Sequence, residues 1–146
     1  LKIVQITGEN GEVLETEWLK RAEAVHRQLR PQIPPDYTAK MLKVFGQGGE
    51  MCICVEGDAV LAVAVYRSFD NTYAGHRFYV DDLVTDETQR SRGAGHMLMQ
   101  YLETESKSRG STWIELESGV QREQAHKFYF REGMTISGYS FRKPLK

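Results

Sequence analysis

The sequence predicts an α/β (α+β) chain, with a mixed, mostly antiparallel sheet of six to seven strands and about four helices on its faces. Three observations carry this. A hairpin is legible in "EMCICVE", the turn "GD" and "AVLAVAVYR", with Gly57 in the turn. A third run of strand formers, "HRFYVDDLVT", leads to Ala94, Met97, Leu98, Tyr101 and Leu102, an apolar stripe at helical spacing. Beyond that helix "STWIELES" reads as strand again, which completes a strand–helix–strand crossover.

The remaining elements follow in chain order. "LKIVQIT" reads as a short strand and "GENGE" as a turn. Over residues 14–29, Leu14, Trp18, Leu19, Ala22, Val25 and Leu29 fall on one helical face. Pro31, Pro34 and Pro35 stop that helix, because proline lacks the N–H a helix interior needs. A short helix over 36–45 presents Tyr37, Met41, Leu42 and Phe45, and "GQGG" breaks it. Gly110 closes the helix that starts at Ala94. "REQAHKFYFRE" reads as the last helix, Gly133 as its stop, and "MTISGYSFRKPL" as a terminal strand pair.

The chain has 146 residues, a length that fits one domain over residues 1–146. Its net charge of −1 gives no global field for nucleic acid or an anionic membrane, so any anion site must be local. No apolar stretch approaches the ~20 residues of a membrane span. "LKIVQITGEN" is too short and polar for a secretory signal, and the missing initiator Met leaves a trimmed N-terminus open. A cytoplasmic protein is expected. Cys52 and Cys54 fall on one side of one strand, too close for a disulfide, and read as buried thiols. His26, His76, His96 and His126 lack ligand spacing, so no metal is expected.

"TQRSRGAGHMLMQYLE", residues 88–103, carries the chemistry. Gly93 and Gly95 stand where the helix begins, at a cost of roughly 1 kcal/mol each against alanine in a helix interior. A helix N-terminus offers unpaired N–H groups and partial positive charge, and small residues let a phosphate reach them. Arg90 and Arg92 can add charge-assisted bonds. A P-loop is absent. A dinucleotide fingerprint is incomplete, since Gly93-Ala94-Gly95-His96-Met97-Leu98 lacks the third glycine, although Glu115 and Glu117 supply a distant acid.

Arg90-Ser91-Arg92-Gly93-Ala94-Gly95 resembles the R-x-x-G-x-G/A signature of the GCN-five-related N-acetyltransferases, the GNAT superfamily. The "DDLVT" strand before it and "AHKFYFREGM" after it resemble that family's flanking motifs, from about Phe78 to the C-terminus. The C-terminal half is most similar to small bacterial members such as aminoalkylphosphonate N-acetyltransferase. The resemblance implies a sheet with a central splayed pair and acetyl-CoA as cosubstrate. Arg90, Ser91, Arg92, Gly93, Ala94, Gly95 and His96 would cradle its pyrophosphate. The backbone of Leu83, Val84 and Thr85 would pair with the pantetheine arm, and an N–H there would polarise the thioester carbonyl. Arg122 stands where the family often has Asn, so that position departs from the pattern. A small-molecule primary amine is the implied acceptor, shaped by residues 18–45, and frequent homodimers in the family leave self-association open. A non-catalytic acyl-CoA-binding module and a dinucleotide-binding oxidoreductase are the rival functions.

Acetyl transfer must remove a proton from an ammonium of pKa ~10 and supply one to a thiolate of pKa ~8.5. Asp81 and Asp82 are adjacent in an apolar strand, so regular pleating points them to opposite faces. By family position Asp81 is the candidate base, or Asp82 if a bulge reverses the facing; a structural ion pair is the competing role for each. Tyr129 matches the family tyrosine that protonates the leaving thiolate. Glu115 and Glu117 share a strand face and could bind a cationic acceptor or form surface salt bridges.

Overall fold

A computed structural model describes residues 1–146 as two compact units, Leu1–Glu115 and Leu116–Lys146. The first unit opens with β1 (Lys2–Gln5), α1 (Thr16–Leu29) and α2 (Tyr37–Gly46), then β2 (Glu50–Glu56), β3 (Ala59–Asn71) and β4 (Gly75–Thr85). The helix α3 (Ala94–Ser108) follows, and β5 (Ile114–Leu116) ends the sheet order β1-β2-β3-β4-β5. Pairing is antiparallel from β1 through β4.

Side-chain alternation divides the sheet into two faces. Met51, Ile53, Val63 and Val65 point toward α1 and α2, and pack with Leu19, Ala22, Val25, Met41 and Phe45 in one buried core. The alternate residues Cys52, Cys54, Ala62, Ala64, Tyr66 and Phe78 are buried too, as are Leu98, Met99 and Leu102 of α3. Both faces are therefore covered, which explains why β2 and β3 read as near-continuous apolar runs. Full burial of one large aliphatic side chain contributes roughly 1.5–3 kcal/mol, so this double layer is what holds the strands in register. The two thiols are free and buried, and burial pushes the Cys52 thiol far above its ordinary value.

Two departures from expectation have physical causes. Five strands form rather than six to seven: the segment 134–146 takes no strand conformation. Its Ile136, Tyr139, Phe141 and Leu145 are exposed, and a β-prone run without a paired edge does not become a strand. The second departure is a β-bulge. Opposite Val65 stands Asp82, but opposite its neighbour Tyr66 stands Val80, so β4 carries Asp81 as an extra residue.

β5 has three residues against eleven in β4, so it can cover only a short part of that strand's outer edge. Arg77 Nε donates to Glu115 Oε2 at 2.7 Å, which ties β5 to the N-terminal half of β4. Leu83, Val84 and Thr85 lie at the other end, paired on their inner side with Ala64, Val63 and Ala62 of β3. The second unit holds α4 (Glu123–Arg131), whose backbone closes at Gly133 with a positive φ of 85°.

Candidate active site

The bulge decides where the two carboxylates point. Regular pleating would send Asp81 and Asp82 to opposite faces; instead both line one cleft on the α1–α2 face, together with Val65 and Arg67 of β3. The expectation of opposite facing is thereby corrected, because the extra residue resets the alternation at Asp82. The cleft has a volume of about 630 Å³ and an apolar wall that includes Ile33, Met41 and Val44. Its rim is shaped by the proline-bearing turn after α1, which Arg27 holds by donating to the carbonyls of Ile33 and Pro34.

Each carboxylate has its own guanidinium. Arg67 donates from Nε to Asp81 Oδ2 at 2.6 Å and from Nη2 to Oδ1 at 2.9 Å, a two-pronged ion pair. Arg30 donates from Nε to Asp82 Oδ1 at 2.7 Å and from Nη2 to the Asp81 carbonyl at 2.9 Å, which bridges both residues of the bulge. The second Asp82 oxygen meets His26 Nε2 at 2.7 Å, and His26 Nδ1 meets the Tyr37 hydroxyl at 2.8 Å.

That chain of contacts fixes the protons. Burial alone would raise the Asp82 carboxyl, but hydrogen bonds and charge from His26 and Arg30 outweigh it and hold the group below the usual carboxylate range. An ionised carboxylate only accepts, so His26 carries its hydrogen on Nε2. Burial pushes the Tyr37 phenol well above its ordinary value, so it stays protonated. In a neutral ring, His26 Nδ1 then accepts from the phenol. His26 and Tyr37 are 1% and 3% exposed, so their contribution is to hold Asp82. Sequence spacing missed His26, although it shares the buried stripe of α1 with Ala22 and Val25. A polar residue on such a stripe must find a partner, and that was the available signal.

One loop beyond β4, the α3 N-terminus has the shape an anion needs. Gly93 caps it with a left-handed φ of 82°, no side chain caps it, and no atom lies within 4 Å of where a Cβ would stand. Ser91, two residues earlier, also has a positive φ of 67°. Gly95 is different: with Ala94 it is buried on the inner side of the first turn, so its smallness serves packing. Arg90 and His96 are exposed beside this turn. Arg92 is engaged, donating to Gln89 Oε1 at 2.9 Å and pairing with Glu56. Asp86 and Gln28 fasten the loop: Gln28 donates to Asp86 Oδ1 at 3.2 Å and accepts from Glu87 N at 2.9 Å.

The other sequence candidates are placed separately. Tyr129 stands half-buried on α4 in the second unit, in edge contact with Phe128 at 5.7 Å between ring centroids. Glu115 is spent on Arg77, so it takes the salt-bridge alternative; Glu117 is exposed. Among the residues of the chain, no group of three His, Cys, Asp or Glu is arranged to hold a metal ion.

Comparison with known proteins identifies the family and the fold. The acetyltransferase (GNAT) family model matches residues 14–134. An uncharacterised N-acetyltransferase of Bacillus subtilis is 33% identical over 104 residues, covering 63% of this chain and 73% of that protein. An aminoalkylphosphonate N-acetyltransferase of Salmonella typhimurium is 29% identical over 89 residues, covering 61% of this chain and 58% of that protein. This chain therefore spans somewhat over half the length of the second relative. An aminoglycoside N-acetyltransferase solved in complex with CoA shares the fold, with a TM-score of 0.82 at 12% identity over 99% of this chain and 94% of that one. With strand, bulge, glycine-capped helix and family match in one consistent order, the chain belongs to the GNAT acetyltransferase family.

Proposed function

We propose that the protein is a single functional acetyltransferase domain that acts in the cytoplasm. It moves the acetyl group of acetyl-CoA to the primary amine of a small molecule, by direct attack in a ternary complex. One observation carries this: an uncapped, positive-φ helix N-terminus stands one loop beyond a bulge that turns two carboxylates into a cleft. Residues 90–96 bind the pyrophosphate, with Arg90 and the amides around Gly93 as donors. The pantetheine arm runs along the uncovered edge of Leu83–Thr85, and an N–H of that stretch polarises the thioester carbonyl.

Proton flow follows from magnitudes. An ammonium has no lone pair and cannot attack, so one proton goes to solvent first; for a pKa of ~10 at pH 7 that costs about 3 units, or about 4 kcal/mol. The second proton leaves as the N–C bond forms, when the nitrogen becomes strongly acidic. Asp81 is the acceptor in this scheme, directly or through water, because Asp82 is committed to Arg30 and His26. As the C–S bond breaks, Tyr129 donates a proton to the thiolate. The ammonium starts with three protons; the amide keeps one, the thiol receives one through Tyr129, and one goes to solvent.

The test is acetyl-CoA-dependent thiol release over a panel of amines. At least one amine should turn over, and Tyr129→Phe should lower kcat at least tenfold with CoA affinity unchanged. Tight CoA binding with no thiol release from any amine would establish the non-catalytic module instead. Thermal protection by NAD(H) exceeding that by CoA would establish the oxidoreductase.

A further inference from the structure

Resting on the acetyltransferase function proposed above, we infer that the cleft selects an amine that also carries an anionic group, such as a carboxylate or a phosphonate, over a polycationic amine. The inference comes from counting hydrogen-bonding capacity at the cleft. Its charged lining is Arg30, Lys40 and Arg67 against Asp81 and Asp82. All four carboxylate oxygens already accept a hydrogen bond, two from Arg67, one from Arg30 and one from His26. The two carboxylates keep about four of their eight lone-pair sites, but each is already charge-paired with a guanidinium, so a second ammonium would enter a lining of three cations and two anions.

The cations are in the opposite condition. A guanidinium has five N–H donors, and Arg30 and Arg67 each spend two inside the protein, which leaves three apiece. Lys40 is exposed on α2 at the same cleft and forms no ion pair, so its ammonium adds three more. Arg67 is also preorganised: its guanidinium carbon lies 5.4 Å from the ring centroids of both Phe69 and Tyr79, while its two-pronged bond to Asp81 fixes the plane. A fixed guanidinium with spare donors recognises a planar carboxylate or a phosphoryl group at low entropic cost. Nine unspent donors face about four unspent lone-pair sites, and the lining carries one more cation than anion: the cleft lacks an anion. A zwitterionic amine supplies it, and its single ammonium still reaches the Asp81 side of the bulge. A volume of about 630 Å³ suits a compact molecule of this kind.

The experiment uses matched amines with the full chain and acetyl-CoA. Ethylamine is compared with 2-aminoethylphosphonate, propylamine with 3-aminopropanoate, and 1,3-diaminopropane serves as the polycation. The anionic member of each pair should exceed its neutral partner at least tenfold in kcat/KM, mainly through KM, and the diamine should be the poorest. The two pairs separate phosphoryl from carboxylate recognition. Lys40→Glu should cut the anionic-to-neutral ratio at least fivefold. Calorimetric binding of the same amines to the CoA-loaded protein provides a readout independent of turnover. Preferential binding of the anionic amine without thiol release would sustain the charge selectivity and defeat the enzymatic function. Turnover that favours the diamine, or a ratio near one within both pairs, would overturn the selectivity and leave the enzyme intact.

Discussion

Replacing Tyr37 by phenylalanine removes one oxygen from the interior, and the structure fixes what that oxygen does. The hydroxyl lies 2.8 Å from His26 Nδ1, with both residues buried between α1, α2 and the sheet. Without it, Nδ1 of a residue only 1% exposed loses its hydrogen-bond partner. A buried polar atom deprived of its partner costs about 1–3 kcal/mol, more than the ~1 kcal/mol net worth of an ordinary hydrogen bond. For a chain of this size each kcal/mol shifts Tm by roughly 2–4 °C, so Tyr37→Phe should lower Tm by roughly 3–10 °C. Urea unfolding at pH 7 measures the free energy directly, and m should stay constant because the exposed surface is unchanged. Tyr73→Phe is the control: that ring is 76% exposed and its loss of hydroxyl should stay within about 0.5 kcal/mol. If the two variants were equally stable, the proton assignment through His26 to Asp82 would be wrong.

Two further perturbations probe neighbouring features. Asp82→Asn removes a carboxylate whose folded-state pKa is depressed, so the wild type keeps its contribution above the ordinary carboxylate range and loses it as pH falls through the lowered folded value. The variant should be less stable by about 1–3 kcal/mol at pH 7, a figure moderated by the partial exposure of Arg30, and the difference should shrink below about pH 4; a gap independent of pH in urea titrations would contradict the ion-pair origin. Gly93→Val places a branched side chain at a φ of 82° with open space around it, so the cost is backbone strain of about 1–2 kcal/mol without a steric clash. CoA affinity, read by calorimetry, should fall at least tenfold, and unchanged affinity would remove Gly93 from the pyrophosphate seat.

What could be read from the sequence was what depends on local pattern. The hairpin around Gly57, the proline stop after α1 and the apolar stripe of α3 all rest on periodicity and turn chemistry within a few residues. The glycine at the head of α3 was legible for the same reason. The facing of Asp81 and Asp82 was not, because it follows from a register shift against Tyr66 and Val65 that only the pairing of β3 with β4 defines. His26 escaped because one polar residue on an apolar stripe gains its meaning from a partner 56 positions away. The terminal strand pair failed in the other direction: "MTISGYSF" has strand-like composition, but composition supplies no edge to pair with.

The bulge also explains why this cleft contains so many arginines. Two adjacent carboxylates on one face repel each other, and burial would ordinarily resolve that by protonating one of them. Here each has a guanidinium instead, and Arg30 binds the side chain of Asp82 and the backbone of Asp81 together. The two acids thereby acquire different duties. Asp82 is nearly buried, with a side chain 13% exposed, and both its oxygens are tied to α1 through His26 and Arg30, so it joins helix to sheet. Asp81 has a side chain 31% exposed and a single side-chain partner on the neighbouring strand, so it can exchange part of that bond for a substrate N–H without releasing α1. Substitution of Asp82 should therefore register first in stability, and substitution of Asp81 first in turnover. A single extra residue in β4 creates that separation, and a strand of regular pleat would have placed one of the two acids on the buried α3 face, where neither duty could be performed.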